Sequence, residues 1–211
     1  MKVIQFKTDD EQSFDAFFAI YESALVKREQ KSKIDIKKMC LSPAYTFLLA
    51  QENNIIIGFS ILFISQDNSF CLLEYMAISQ TFRGSGYGGE LFFASYQHIS
   101  AKPNNIPLLI ELDSDRENST DQAIRKKRHD FYRRLGCLSI KNLDYLLPLP
   151  GEGPAPQMDL FIYQAVPSQK LAKSDLEHWL NLIYQQVYHC PADDVRIGQM
   201  LSTISDPILL D

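Results

Sequence analysis

The feature that most constrains this sequence is a cluster of glycines between a predicted strand and a predicted helix. It reads Gly84-Ser85-Gly86-Tyr87-Gly88-Gly89 and follows a strand-like segment that ends near Ile78. Glycine adopts positive φ easily and lets a ligand approach the backbone closely. Successive amides at the start of a helix form an anion-binding nest, which the helix dipole strengthens. A plain turn needs fewer glycines, so the cluster predicts a loop that binds an anionic group.

The cluster can also be compared with two nucleotide-binding motifs. It satisfies G-x-G-x-x-G, with Glu111 about twenty residues beyond it, as in a dinucleotide-binding unit. In such a unit the first glycine ends the strand directly, whereas here Ser79–Arg83 intervene and the strand follows a meander. A Walker A loop is excluded because no Gly-Lys-Ser/Thr follows. The remaining reading begins at Arg83 and has the form R-x-x-G-x-G.

Hydrophobic periodicity predicts an α+β chain. Amphipathic helices are expected around residues 14–25, directly after the glycine cluster, over 119–136 and from 174 onward. The inward face of the helix over 119–136 is predicted to be Ile124, Phe131, Tyr132 and Leu135. The predicted strands are Lys2–Phe6, Tyr45–Ala50, Ile55–Ile64, Phe70–Ile78, Pro107–Leu112, Cys137–Ile140 and Met158–Gln164. Polar turns join the second, third and fourth of these, which indicates an antiparallel meander.

Composition limits the classes of function. The 211 residues are 45% hydrophobic with a net charge of −5, which is typical of a globular protein and gives no general attraction to nucleic acid. No apolar run approaches the 18 residues of a membrane span, and the N-terminus does not read as a signal peptide. The four cysteines are far apart without zinc-like spacing, so we expect a cytoplasmic protein with no metal. A boundary is predicted at Pro167, dividing a domain over 1–167 from a helical extension over 168–211.

At this point the sequence resembles the GNAT (GCN5-related N-acetyltransferase) superfamily. That family carries Q/R-x-x-G-x-G/A after its fourth strand, which corresponds here to Arg83-Gly84-Ser85-Gly86-Tyr87-Gly88. The run Glu74-Tyr75-Met76-Ala77-Ile78 is similar to that strand, and Phe131-Tyr132-Arg133-Arg134-Leu135-Gly136 is similar to the family's Phe-Tyr-x-x-x-Gly signature. The resemblance covers roughly residues 1–165. It implies a mixed, mostly antiparallel central sheet flanked by helices.

The resemblance also implies an activity and a cosubstrate. The expected function is transfer of an acetyl group from acetyl-CoA to a primary amine by direct attack in a ternary complex. The alternative is a non-enzymatic acyl-CoA-binding module of the same fold. The basic run 125–128 either forms a solvated helix face or contains a residue that pairs with the 3′-phosphate of CoA. The residues assigned to acetyl-CoA are Met76, Ala77, Ile78, Arg83, Gly84, Ser85, Gly86, Tyr87, Gly88, Gly89, Arg128 and Phe131.

Three residues are candidates for the chemistry. By resemblance Tyr132 is the general acid for the CoA thiolate, although it could equally be a core tyrosine. Glu74 is the first candidate for the base, and simple alternation places it on the same strand face as Leu72 and Met76. A carboxylate facing solvent at the strand end is the alternative reading. Glu111 is the second candidate, either as a base or as a group that binds a cationic acceptor.

The remaining expectations concern partners. The loop over 144–157, which holds four prolines, is expected to wall the acceptor site. The apolar stripe of the extension should pack on the core or form a dimer interface. We therefore expect a monomer or homodimer that takes a small-molecule or peptide amine and binds neither nucleic acid nor membrane.

Overall fold

A computed structural model of the chain describes residues 1–100, 106–116, 119–148 and 156–211. By their internal contacts the residues form two compact units. The first unit comprises Met1–Gln66 and Cys71–Asn105, and the second comprises Asp67–Phe70 and Ile106–Asp211. Residues 149–155, which make up half of the predicted acceptor-site loop, lie outside the described residues.

The first unit contains a four-stranded antiparallel sheet. Its strands pair in chain order, so the predicted meander is confirmed. Asn53 and Asn54 form the turn between the second and third strands with φ of 50° and 63°, a backbone region that asparagine tolerates better than most residues. The strands are β1 (Lys2–Gln5), β2 (Tyr45–Glu52), β3 (Ile55–Ile64) and β4 (Cys71–Ile78).

Three helices accompany this sheet: α1 (Glu11–Ala24), α2 (Lys33–Leu41) and α3 (Tyr87–Ser100). The side chain of Asp10 caps α1 and that of Ser32 caps α2, each by accepting a first-turn amide. Short 3₁₀ turns lie at Lys27–Glu29 and Gln80–Phe82. The predicted apolar face of α1 is buried in an aromatic cluster with the sheet; its members on α1 include Phe14, Phe17, Phe18 and Tyr21.

Strand β4 contains a bulge at Glu74. Leu62 pairs with Leu73 and Ile61 pairs with Tyr75, so the intervening Glu74 has no partner position on β3. A bulge interrupts the period of two along a strand, and the prediction that Glu74 shares a face with Met76 is wrong. Glu74 instead faces the α1 side with Tyr75, whose ring packs edge-on against Tyr21 at 5.3 Å.

Gly58 on β3 packs closely against the end of β4. It pairs with Ile78 in the sheet register. A Cβ atom added at Gly58 would lie 2.5 Å from Ile78 Cδ1 and 2.7 Å from the Ala77 carbonyl oxygen. The two strands therefore approach each other here only because residue 58 has no side chain.

The second unit contains an antiparallel sheet centred on β8. Strand β5 pairs with β8 over its whole length, and two short strands, β6 and β7, also pair with β8. A further two-stranded sheet is made by β9 and β10. The bounds are β5 (Leu108–Asp113), β6 (Leu138–Ser139), β7 (Tyr145–Leu146), β8 (Gln157–Tyr163), β9 (Lys170–Leu171) and β10 (Ile208–Leu209).

The helices of this unit are α4 (Gln122–Arg134), α5 (Lys173–Leu182) and α6 (Val195–Ser202), with a π-helical turn at Ile183–Val187. The predicted inward face of α4 is partly wrong. Ile124 is 57% exposed, and the buried positions are Arg125, His129 and Tyr132. The two polar side chains are buried because they bond to backbone carbonyls at the end of β5 and just after it.

The extension over 168–211 packs within the second unit. Trp179 contacts the ring of Phe70 at a centroid distance of 6.3 Å, and the Ser139 amide donates to the Asp211 carbonyl oxygen at 2.6 Å. Its predicted apolar stripe is buried against its own chain, at Leu176, Trp179, Leu180, Ile183, Tyr184 and Val187. The domain boundary at residue 167 stays a prediction. Of the helices described, none has the length and apolarity to cross a membrane.

Candidate active site

The glycine loop has the backbone conformation that its sequence predicts. Gly84 and Gly86 have φ of 82° and 87°, a region that L-residues with side chains rarely adopt. A Cβ added at either residue would meet no atom within 4 Å, so the requirement for glycine here is conformational and the space above the loop is open. Helix α3 starts immediately afterwards, and the amides of Gly89 and Glu90 donate to the Gly86 carbonyl at 3.0 and 3.2 Å. The amides before Gly89 are those that an α-helix leaves without intrahelical acceptors.

The end of β4 and the glycine loop are held together in the first unit. Met76 and Ile78 pack in one apolar cluster with Phe82 and Tyr87, which flank the loop. The Arg83 Nε donates to the Ile78 carbonyl at 3.0 Å, so this side chain ties the loop to the strand. Ala77 points to the opposite face, into the aromatic cluster of α1. The sequence predicts that Arg83 binds the cofactor. In the structure its side chain also has a structural role, through its hydrogen bond to Ile78.

Glu74 is a buried carboxylate. Its side chain is 4% exposed, and Lys31 Nζ lies 3.3 Å from its Oε1. The neighbouring Tyr45 has its pKa raised, first by burial and then by the negative charge of Glu74. The Lys31 amide donates to the Tyr21 hydroxyl at 2.8 Å, which positions the residue beside the sheet. Lys31 was missed in the sequence because it lies in a polar stretch with no periodic pattern.

Tyr132 and Arg128 lie on α4 in the second unit. Tyr132 is 7% exposed, and burial is the main cause that raises the pKa of its hydroxyl. Phe131 is half-buried, with its ring 5.0 Å from that of Tyr132. Arg128 is half-exposed and its Nη1 lies 3.1 Å from Asp113 Oδ2. A ligand phosphate would have to share Arg128 with this carboxylate.

Glu111, the second candidate base, is held by two tyrosines. Tyr145 donates its hydroxyl to Oε1, and Tyr188 donates to Oε2 at 2.6 Å. Burial and the adjacent carboxylate raise the pKa of Tyr145 well above its ordinary value, so it stays a donor. Both carboxylate oxygens of Glu111 already accept a hydrogen bond from a tyrosine hydroxyl. This geometry therefore favours Glu74 over Glu111 as the base.

The bond between Tyr188 and Glu111 joins the C-terminal extension to β5. We expect Tyr188→Phe to lower the free energy of unfolding by about 1–3 kcal/mol, because a partly buried carboxylate loses a donor. Urea denaturation followed by circular dichroism measures this change. The matched control is Tyr87→Phe, a half-buried tyrosine whose hydroxyl bonds to no group in the described ranges. Equal losses in the two variants would contradict the assignment.

Several solved structures share this fold. A GNAT-family protein of Bacteroides thetaiotaomicron has a TM-score of 0.71 at 18% identity, over 90% of this chain and 100% of its own. An aminoglycoside 6′-N-acetyltransferase complexed with coenzyme A gives 0.59 at 13% identity, over 80% and 99%. The ribosomal-protein-S18-alanine N-acetyltransferase of Escherichia coli gives 0.55 at 14%, over 79% and 95%. Identities this low show the fold alone, and the predicted α+β GNAT fold is confirmed.

The sequence comparisons agree with the fold. Residues 43–136 match the family model described as an acetyltransferase (GNAT) domain. YjbC of Bacillus subtilis (strain 168), which is named provisionally as an acetyltransferase, is 34% identical over 85 residues. That alignment covers 40% of this chain and 40% of YjbC. The family model spans both motifs, so the predicted resemblance to the GNAT acetyltransferase superfamily is confirmed over residues 43–136.

Proposed function

We propose that this protein is an N-acetyltransferase that moves an acetyl group from acetyl-CoA to a primary amine. The observation that carries the proposal is the glycine loop, with Gly84 and Gly86 at positive φ directly before α3. Open space above the loop and free first-turn amides are the features that an anionic diphosphate needs. The CoA-bound aminoglycoside acetyltransferase of the same fold supports coenzyme A as the source of that diphosphate.

The cofactor residues divide by function in this proposal. The amides of residues 84–88 bind the pyrophosphate, and the dipole of α3, which begins at Tyr87 and includes Gly89, favours the negative charge. The backbone of Met76 to Ile78 hydrogen-bonds the pantetheine arm. Arg128 exchanges its pairing with Asp113 for the 3′-phosphate of CoA, and Phe131 packs beside the cofactor. Arg83 keeps its bond to Ile78 and holds the loop in place.

The proposed reaction needs one base and one acid. The neutral amine nitrogen attacks the thioester carbonyl, forming a C–N bond and a tetrahedral oxyanion. Glu74 accepts the proton that the amine loses, directly or through a water molecule. The C–S bond then breaks, and Tyr132 protonates the leaving CoA thiolate. Tyr132 carries the proton it must donate at neutral pH, because a phenol has a pKa near 10 and burial moves that pKa further up.

The acceptor is proposed to be a small-molecule or peptide amine. Solved relatives of this fold include enzymes named for aminoglycosides and for a ribosomal-protein alanine. The buried Glu74 offers such an amine a negative charge, which Lys31 now partly satisfies. A cationic acceptor that competes with Lys31 for this carboxylate would bind next to the base that deprotonates it.

One observation favours the alternative of a non-enzymatic acyl-CoA-binding module. If Lys31 stays paired with Glu74, the carboxylate is not available to accept a proton. The two functions differ in one measurement, the release of thiol from acetyl-CoA across a panel of amines. Amine-dependent release identifies the enzyme, whereas acetyl-CoA binding without release identifies the module.

The cofactor site is tested by Gly86→Asp. The variant places a negative charge in the loop and a side chain at φ of 87°, so we expect acetyl-CoA binding to be lost. In the parent protein, acetyl-CoA at about 100 times its dissociation constant should add roughly 2.7 kcal/mol of stability, a thermal shift of several degrees. NAD should give no shift. Differential scanning fluorimetry measures both.

The matched control is Gly198→Asp. Gly198 is exposed on α6, and an added Cβ there meets nothing within 4 Å, so the same change of charge is made away from the loop. This control should bind acetyl-CoA as the parent does. Unchanged acetyl-CoA affinity in Gly86→Asp would show that the site is elsewhere.

A further inference from the structure

A buried histidine that has been given no catalytic role lies between two carboxylates in the second unit. His129 on α4 is 1% exposed and packs edge-on against the Phe161 ring at 5.2 Å. Its Nε2 lies 2.9 Å from the carbonyl oxygen of Asp113. A carbonyl oxygen only accepts hydrogen bonds, so Nε2 carries a proton and donates it. In a neutral ring the lone pair is therefore on Nδ1.

The Nδ1 atom of His129 is buried, and the described residues offer it no hydrogen-bond partner. The carboxylate it faces belongs to Asp115, with Oδ2 at 3.7 Å, too far for a hydrogen bond. Two acceptors that face each other inside a protein repel, and a buried acceptor without a donor is costly. The arrangement calls for a positive charge between these two atoms.

None of the arginines described near the site supplies that charge. Arg116 pairs with Asp159 Oδ1 at 2.7 Å and with Asp144 at 3.5 Å. The guanidiniums of α4 likewise have carboxylates of their own, in the pairs Arg125–Asp121 and Arg128–Asp113. Within the described ranges, the charged group given at ion-pair distance from Asp115 is the His129 ring alone.

Asp159 on β8 completes a group of three possible ligands. Its Oδ2 lies 3.8 Å from His129 Nε2, the nitrogen that donates to Asp113, and its Oδ1 is paired with Arg116. One ligand atom from each of Asp115, His129 and Asp159 can be chosen so that all lie within 4.8 Å of one another. Bonds of about 2.1 Å to one ion at a tetrahedral angle put two ligand atoms about 3.4 Å apart. The Nδ1–Oδ2 distance of 3.7 Å is close to that value.

We propose that Asp115, His129 and Asp159 bind one divalent transition-metal cation, for which Zn²⁺ is the best match. One imidazole with two carboxylates is a mixed N/O set that suits zinc better than magnesium or calcium. The bond from Nε2–H to the Asp113 carbonyl is the second-shell contact that metal-bound histidines make. This proposal replaces the expectation, drawn from cysteine and histidine spacing alone, that the chain binds no metal.

The site would be structural. Asp115 follows β5, His129 lies on α4 and Asp159 lies on β8, so one ion would join three elements that are distant in the chain. Sequence spacing does not show such a site, because its three ligands are brought together only by the fold. Binding to the native state alone stabilises that state by mass action.

The test uses the full chain without a histidine tag, stripped of metal by a chelator and exchanged into metal-free buffer. Zn²⁺ is added, excess is removed by gel filtration, and bound zinc is counted by elemental analysis. We expect one zinc per chain and a rise of several degrees in thermal midpoint. Competition with a chromophoric chelator gives the affinity. Co²⁺, used as a spectroscopic probe, should give visible absorption bands typical of low-coordinate N/O ligation.

Two variants and one control assign the ligands. Asp115→Asn removes the charge of a partly exposed ligand and is the milder change, and His129→Gln removes the ring. Loss of a group that only supports a metal ligand typically weakens metal affinity by about 10- to 100-fold. Each of these variants loses a ligand itself, so its zinc affinity should fall by at least that factor. The control is His178→Gln, which removes an exposed histidine paired with Asp67 at 2.6 Å in the same unit. This control should keep its zinc.

Three results would overturn the proposal. The stripped chain could retain no zinc after gel filtration, or Asp115→Asn could bind zinc as tightly as the parent. The third is a ¹⁵N NMR spectrum that shows both ring nitrogens of His129 protonated in excess Zn²⁺. In that case an imidazolium, and not a metal, supplies the positive charge beside Asp115.

Discussion

Tyr132→Phe is expected to lower kcat by about 10²- to 10⁴-fold while leaving the affinity for acetyl-CoA nearly unchanged. The substitution keeps the ring that packs against Phe131 and removes only the hydroxyl. If that hydroxyl protonates the leaving thiolate, its loss affects the transition state and not the ground-state complex. Steady-state assay of thiol release, with acetyl-CoA binding measured separately by calorimetry, checks both parts.

The control for this variant is Tyr96→Phe. Tyr96 is buried on α3 to nearly the same extent, 6% against 7%, and has no proposed role in chemistry. It reports the cost of removing a buried hydroxyl without removing an acid. A rapid-quench experiment first establishes that acyl transfer limits turnover. If acyl transfer limits turnover, an unchanged kcat in Tyr132→Phe would show that Tyr132 is a structural residue of the core and not the general acid.

The pKa of Tyr132 predicts a feature of the pH profile. Burial raises this pKa above the ordinary value near 10, so the phenol keeps its proton as the pH rises through 10. Loss of the acid therefore should not produce a falling alkaline limb below that pH. A limb that falls between pH 8 and about 9.5, and that vanishes in Tyr132→Phe, would contradict the direction of the shift.

Glu74→Gln is expected to lower the rate most at neutral pH and less in alkali. Gln has nearly the volume of Glu but cannot accept a proton, so the step that suffers is deprotonation of the amine. An alkyl amine with pKa near 10 is roughly 0.1% neutral at pH 7, where a base contributes most. We expect a loss of about 10²-fold or more at pH 7, measured as kcat/KM for the acceptor across pH 6.5–10.

Glu111→Gln is the internal comparison for the base. Both oxygens of Glu111 accept tyrosine hydroxyls, so this variant should lose stability and keep the pH profile of the parent. If Glu111→Gln shows the pH-dependent loss and Glu74→Gln does not, the base lies on β5. A loss in Glu74→Gln that is uniform with pH and confined to the acceptor KM would instead make Glu74 a substrate-binding group.

Elements with a strong local signal were predictable from the sequence. The density of glycines predicted a loop with positive φ, because glycine is the residue type that adopts this conformation easily. The φ angles of Gly84 and Gly86 confirm this prediction. The meander followed from three apolar runs with polar turns between them. Helix α1 followed from aromatic residues at helical spacing, which bury the face that the spacing indicates. Each of these features depends on residues close together in the chain.

The errors came where tertiary contacts override the local pattern. The bulge at Glu74 breaks the alternation of β4, and nothing in the residues around it marks the extra position. On α4, Ile124 is exposed and His129 is buried, because the Asp113 carbonyl at the end of β5 accepts a hydrogen bond from the His129 ring. Strand β7, which pairs Tyr145 and Leu146 with β8, has only two residues and is too short to show the alternation of a strand. A hydrophobic pattern cannot predict that a polar side chain will be buried where the fold supplies its hydrogen-bond partner.

The close approach of β3 and β4 at Gly58 limits how this protein can be diversified. A side chain there would collide with the backbone of Ala77 as well as with Ile78, so a flexible neighbour cannot yield the room. The strand segment that precedes the glycine loop is thus held against β3 at a residue that has no side chain. A mutational library aimed at the proposed acetyl-CoA site would do best to leave position 58 unvaried. A position with no assigned ligand contact is thus closed to substitution by the packing of the backbone alone.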